Sequence, residues 1–292
     1  MRFPRFIRFF RHLNWATLKL AFQRAGEQRL PGLAAEMAYN AMLSLFPTIL
    51  ALLTAIGLFA SLRFTVRDIA YQVSQVAPHE ALFLIQGFVQ TVSKSQNQGL
   101  FSLSFIVALW TASGAQSAAM AALDEIHQIP LQQRRPFWKA KLVSIGLTIG
   151  TILLLIVAAF LMFISDLIVQ AVASQSGNLQ SELLKLWQIL TWPAGLAIIA
   201  SAFAFVYRYG PSRWKKGSPI LPGAILAAIS WAILSSLFRL YVTNFGNYNA
   251  AYGAVGTFIV LMLWLNLSSL VMLFGGQLNV TVGEAMRQKG LN

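Results

Sequence analysis

The sequence predicts an all-α, polytopic membrane protein with six transmembrane helices, plus amphipathic helices at its N-terminus and on its outer side. Three observations predict it. Six apolar runs, at 34–61, 100–123, 142–173, 186–207, 220–242 and 252–282, are each long enough to span a bilayer. A hydrocarbon core about 30 Å thick needs about 20 helical residues. Of the 292 residues, 57% are hydrophobic and 11% charged, well under the roughly 25% charged of soluble domains. Finally, 17 of the 22 Lys and Arg residues fall on alternate connections between the runs.

The first element is the N-terminal segment, with Arg2, Arg5, Arg8, Arg11, Lys19, Arg24 and Arg29. Phe3, Phe6, Phe9, Phe10 and Trp15 interleave with these cations. The pattern predicts a basic interfacial helix over residues 1–30, lying on the cytosolic leaflet. No continuous apolar core follows the first arginines, so a cleaved signal peptide is not expected.

The six-span domain follows over residues 31–283, and a cytosolic tail over 284–292. Within the domain, residues 62–99 read as an external helical hairpin. Val66, Ile69, Val73 and Val76 recur at helical spacing before Pro78, and Ala81, Leu84, Ile85, Phe88, Val89 and Val92 after it. The third run has no turn cluster inside it, so it is one helix rather than two.

Cations orient the bundle. Seven lie before span 1. Arg134, Arg135, Lys139 and Lys141 follow span 2, Arg208, Arg213, Lys215 and Lys216 follow span 4, and Arg287 and Lys289 end the chain. The other side has Arg63, Arg67, Lys94, Lys185 and Arg239. The positive-inside rule then places both termini in the cytosol. A net charge of +13 flanking membrane spans calls for anionic lipid heads as partners, not nucleic acid. With no Cys, disulfides and thiolate metal sites are excluded.

Polar residues inside spans are the functional candidates, because burying them in lipid is costly. In span 1, Glu36, Tyr39, Asn40 and Ser44 share one helix face, and Pro47 removes a backbone hydrogen bond just beyond them. A freed carbonyl beside a polar face is how broken transporter helices build ion sites. A solvated Glu36 and a packing kink explain the same residues. Asp124, Glu125 and His127 close span 2. They suggest pairing with Arg134 or Arg135 before they suggest a metal or proton relay. Asp166 lies toward the outer end of span 3, with Arg239 of span 5 as its partner by depth. Gly146 and Gly150 form a helix-packing pattern. In span 6, Gly253, Thr257, Trp264, Ser268, Gly275 and Asn279 make a small-or-polar stripe, with Gln277 at its flank. A solute path and a packing seam fit that stripe equally.

Three stretches carry a family resemblance: AAEMAYNAMLSLFPTILALLTAIG, TASGAQSAAMAALDEIHQIP running into RRPFWKAKL, and NYNAAYGAVGTFIVLMLWLNLSSLVMLFGGQLN. With YRYGPSRWKKGSPILPGA between them, they resemble the YihY/BrkB membrane protein family over roughly residues 25–285. Asn40 departs from the family pattern, which more often has Tyr or another polar residue there. The resemblance implies a six-helix protein of the bacterial cytoplasmic membrane. It also implies roles as varied as virulence factor, transporter and ribonuclease. The ribonuclease role does not suit this sequence, because His12, His79 and His127 are scattered and metal-dependent hydrolysis needs clustered ligands.

The expected function is transport or facilitation of a small solute, ion or lipid. The alternative is a non-transporting envelope scaffold or lipid-organising factor. No enzyme activity, cofactor or metal site is expected, since no nucleophile–base pair or ligand cluster is visible. The sequence does not decide between a monomer and a homo-oligomer.

Overall fold

The computed structural model describes residues 5–58, 98–175, 180–214, 219–244 and 247–288. The predicted hairpin at 62–99 lies outside them, apart from its last two residues. Among the described residues the chain is helical throughout, with no strand.

The N-terminal segment forms two helices, where one was expected: α1 (Arg5–His12) and α2 (Trp15–Glu27). Asn14 makes the break. Its Oδ1 accepts the Thr17 N–H at 2.9 Å, and Thr17 Oγ1 accepts the Asn14 N–H at 2.9 Å. That reciprocal box satisfies two donors a helix start leaves open.

Among the described residues six long helices follow: α3 (Leu30–Leu58), α4 (Gln98–Ile126), α5 (Phe137–Gln175), α6 (Gln180–Tyr209), α7 (Leu221–Asn244) and α8 (Asn247–Gln288). They coincide with the six apolar runs, and the third run is one continuous helix. At 1.5 Å per residue, α8 is about 63 Å long, twice the thickness of a hydrocarbon core. α3 continues as helix through Pro47, and α6 through Pro193.

Among the described residues, four helices carry apolar windows long enough to cross a membrane: Phe137–Leu154, Ile189–Tyr209, Leu221–Val242 and Phe258–Gln288. Large apolar side chains stay exposed along them, including Leu142, Trp192, Ile233 and Ile259. Water would penalise such a surface and lipid favours it.

The helices close a ring. Each packs on its neighbours in sequence, and α8 returns to pack on α3. The core lies where α3, α4, α6 and α8 converge, around Ala34, Met37, Ala119, Leu123, Tyr207 and Leu273. Alanines there let backbones approach closely, as helix packing in lipid requires.

Two helix ends use left-handed residues that are not glycine, Arg29 (φ 55°) and Gln128 (φ 52°). After α4, Gln128 N–H bonds Glu125 O and Ile129 N–H bonds Asp124 O, at 2.9 Å each. This is the Schellman pattern that normally recruits glycine.

Candidate functional site

The polar stripe of span 6 is the place to begin, because it lies on α8, which packs against most of the fold. Its described part faces α7. Trp231 Nε1 donates to Ser268 Oγ at 3.0 Å, and Trp264 Nε1 to Ser235 Oγ at 3.3 Å. Lower down, Asn279 Oδ1 accepts the Gly223 N–H and its Nδ2 donates to Ile220 O, each at 2.9 Å. The Gly223 donor and the Ile220 carbonyl belong to the first turn of α7 and the residue before it. The Asn279 carbonyl thus supplies the acceptor that the Gly223 N–H in the first turn lacks, while its Nδ2 adds a second donor to the Ile220 carbonyl, which already accepts the Ala224 N–H at 3.1 Å.

Glycine makes this closeness available. A Cβ at Gly223 would collide with the Gly275 carbonyl and lie 2.5 Å from Asn279 Oδ1. A Cβ at Gly275 would lie 2.6 Å from that of Ala227. From Trp264 to Asn279 the stripe is therefore a hydrogen-bonded packing seam. The side chain of Thr257 lies outside the described residues. Gln277 is fully buried on another face of α8. Its Nε2 donates to Thr281 Oγ1 at 3.1 Å, while Oε1 has no protein partner.

The span 1 candidates do not gather at one point. Ala34, Met37 and Ala38 of α3 are buried in the bundle. Glu36 and Tyr39 are exposed on the opposite side, with Tyr39 at 56% and Leu43 beside them. Asn40 Nδ2 donates to Glu36 O at 2.9 Å, and its carbonyl lies close to Gly114 of α4. Ser44 is buried and donates to Ala41 O at 2.8 Å. The side chain of Pro47 lies outside the described residues.

At the end of α4 the two acids separate. Glu125 pairs with Arg134 at 2.7 Å, as expected. Asp124 is buried and turns instead to the segment after α6. It accepts the Ser212 N–H at 2.5 Å and the Ser212 hydroxyl at 2.6 Å. Ser212 Oγ in turn accepts the Arg135 N–H at 3.1 Å. The Arg135 guanidinium donates to the carbonyls of Gly210 (2.7 Å), Pro211 (2.8 Å) and Tyr209 (3.2 Å). A cation on the final carbonyls of a helix opposes the negative end of its dipole. His127 bonds Leu123 O through Nδ1 at 2.8 Å and lies against the Trp214 ring. Among the described residues, no three His, Asp or Glu come together as metal ligands.

Asp166 sits within α5, and its side chain lies outside the described residues. Arg239 is exposed on α7. Of the glycine pair on α5, Gly150 lies under Phe205, with a would-be Cβ 2.7 Å from its ring, while Gly146 faces open space.

Three participants escaped the sequence reading: Ser212, Arg135 as a helix cap, and Tyr207. The Tyr207 hydroxyl donates to the Met272 carbonyl inside the core. Tyr207 at the end of an apolar run, with Gly210-Pro211-Ser212 three residues on, was the available signal for two of them.

This helical architecture can be set beside known proteins. The profile of the family described as Virulence factor BrkB matches residues 21–291. The chain belongs to that family. A Bacillus subtilis relative named as the ribonuclease-like protein YfkH is 33% identical over 262 residues, covering 90% of this chain and 93% of its own. An UPF0761 membrane protein of Alteromonas mediterranea is 28% identical over 275 residues, covering 91% and 87%. One of Tolumonas auensis is 26% identical over 304 residues, covering 96% and 93%. No solved structure matches significantly. The BrkB-family chain is thus a membrane protein built of apolar helices.

Proposed function

We propose that this BrkB-family protein spans the bacterial cytoplasmic membrane six times, with both termini in the cytosol, and facilitates the movement of membrane lipid. The distribution of cations supports the topology. One observation carries the substrate class. Glu36 and Tyr39 face outward from α3, whereas the α8 stripe is closed against α7. A polar face on the outside of a bundle offers lipid head groups hydrogen bonds beside the acyl layer. A solute would need an interior route, and the α8 stripe offers none from Trp264 to Asn279, where α7 covers it.

The test is reconstitution into liposomes with a head-group-labelled lipid whose transfer between leaflets is followed by chemical quenching. The wild-type protein should speed transfer, and Glu36→Gln should abolish the acceleration while still inserting. Unchanged transfer in that variant overturns the role of Glu36. Flux of a soluble tracer without lipid transfer overturns the substrate class.

The second reading is a lipid-organising scaffold. It is favoured by the docking of α1 and α2 on α8, which gives the chain a second surface besides the exposed face of α3. Deleting residues 1–24 should then remove function while the long helices still insert. On the facilitator reading, transfer should persist in that variant.

A further inference from the structure

The outer surface of α2 has a composition that its packing uses only at Phe22, which touches Phe274 of α8 at its edge. Ala21 and Ala25 are buried, and the helix packs on α8. Arg24 Nη1 holds Glu284 of α8 at 2.6 Å, and the Phe22 ring lies 4.5 Å from that of Phe274. On the adjoining face, Trp15, Lys19 and Phe22 stand at i, i+4 and i+7, which makes one stripe along the helix, with Phe22 at its border with α8. Trp15 is 78% exposed and Phe22 61%, and Lys19 is exposed between them. α1 repeats the arrangement. Its Phe9 is fully buried, while Arg8, Phe10 and Arg11 stay exposed.

The surroundings name the occupant. α1 packs on α7 and α8, both of which carry apolar windows long enough to cross a bilayer. The N-terminal pair therefore stands at the rim of the lipid-facing surface. Tryptophan and phenylalanine flanked by Lys and Arg are the residues that settle at a head-group layer, with rings in the acyl boundary and cations among the phosphates. The exposed cations here are Arg8, Arg11 and Lys19, and the exposed carboxylate of α2, Glu27, lies off the stripe and bonds Gln23.

We infer that the Trp15–Lys19–Phe22 stripe seats α2 on an anionic phospholipid surface, and that the Arg24–Glu284 pair carries that attachment to α8. This rests on the membrane reading but not on lipid transfer, so it can fail while the proposed function stands. The helix has two working sides, one for the bundle and one for the leaflet. Leaflet charge then acts on α8 through a helix that does not itself cross.

The chain has no Cys, so single Cys residues report without background. Full-length Trp15→Cys, Phe22→Cys, Gln23→Cys and Glu27→Cys would carry an environment-sensitive fluorophore, in vesicles of phosphatidylcholine with or without phosphatidylglycerol. Labels at 15 and 22 should be quenched by a lipid-attached quencher and shielded from iodide, and more so with phosphatidylglycerol. Labels at 23 and 27 should stay open to iodide. Glu284→Gln should weaken the contrast between the two pairs. Equal iodide access at all four positions overturns the proposal. So does shielding independent of phosphatidylglycerol, or shielding that rises with protein density and gives 15-to-15 cross-links, which would mark a second copy as the occupant.

Discussion

Asp124 grips Ser212 twice, at the backbone N–H and at the hydroxyl, across 2.5 and 2.6 Å. This buried carboxylate fixes the segment after α6 to the end of α4. The same hydroxyl accepts from the backbone of Arg135, whose side chain caps α6. Three segments distant in sequence thus share one knot.

Breaking the knot should be costly in an ordered way. Asp124→Ala leaves the Ser212 N–H without its partner, and an unsatisfied buried donor costs about 1–3 kcal/mol. Ser212→Ala keeps the backbone bond to Asp124 but loses both hydroxyl bonds, including the acceptor of the Arg135 N–H, and should cost less, about 1 kcal/mol. Thermal unfolding in detergent should rank the two in that order.

The glycines give a paired test of packing. Gly223→Ala and Gly275→Ala drive a methyl group into backbone or Asn279, and overpacking of this kind costs about 1–3 kcal/mol. Gly150→Ala presses on the Phe205 ring and should also destabilise. Gly146→Ala meets open space and should be neutral or mildly stabilising, since helices favour alanine over glycine by about 1 kcal/mol.

Arg29 and Gln128 hold left-handed conformations that cost an L-residue about 1–2 kcal/mol. Gln128→Gly should therefore raise the unfolding temperature, with Arg29→Gly following. A fall on Gln128→Gly would mean that its side chain contributes more than its backbone costs.

Single Cys residues at 264, 268 and 279 should resist a membrane-impermeant thiol reagent in intact membranes, because α7 covers those positions. Labelling at 268 or 279 would show water reaching the seam.

Much of the fold was legible in the sequence, because apolar runs of bilayer length leave little freedom. The long helices follow those runs, and the 142–173 run is one helix because nothing in it can turn the chain. The direction of polar faces was less legible. In water an apolar stripe marks the inside of a helix, but lipid is as apolar as a core. The Glu36–Ser44 pattern therefore could not say that Glu36 and Tyr39 face out while Ser44 faces in. The bond from Asp124 to Ser212 joins residues far apart in the chain, and no local spacing encodes it. Asn14 splits the N-terminal segment through its side-chain cap, a signal the interleaved Arg and Phe pattern obscured.

The closure of the ring by α8 on α3 bears on how the molecule is made. The helix α3 leaves the ribosome with a face whose partner, α8, comes more than 200 residues later. Until then, α3 can pack on α4, but the surface around Ala34 and Met37 waits for Leu273 and its neighbours. That face of α3 is therefore covered only once α8 has been made. A chain cut short before α8 would leave the α3 surface around Ala34 and Met37 without its α8 partner.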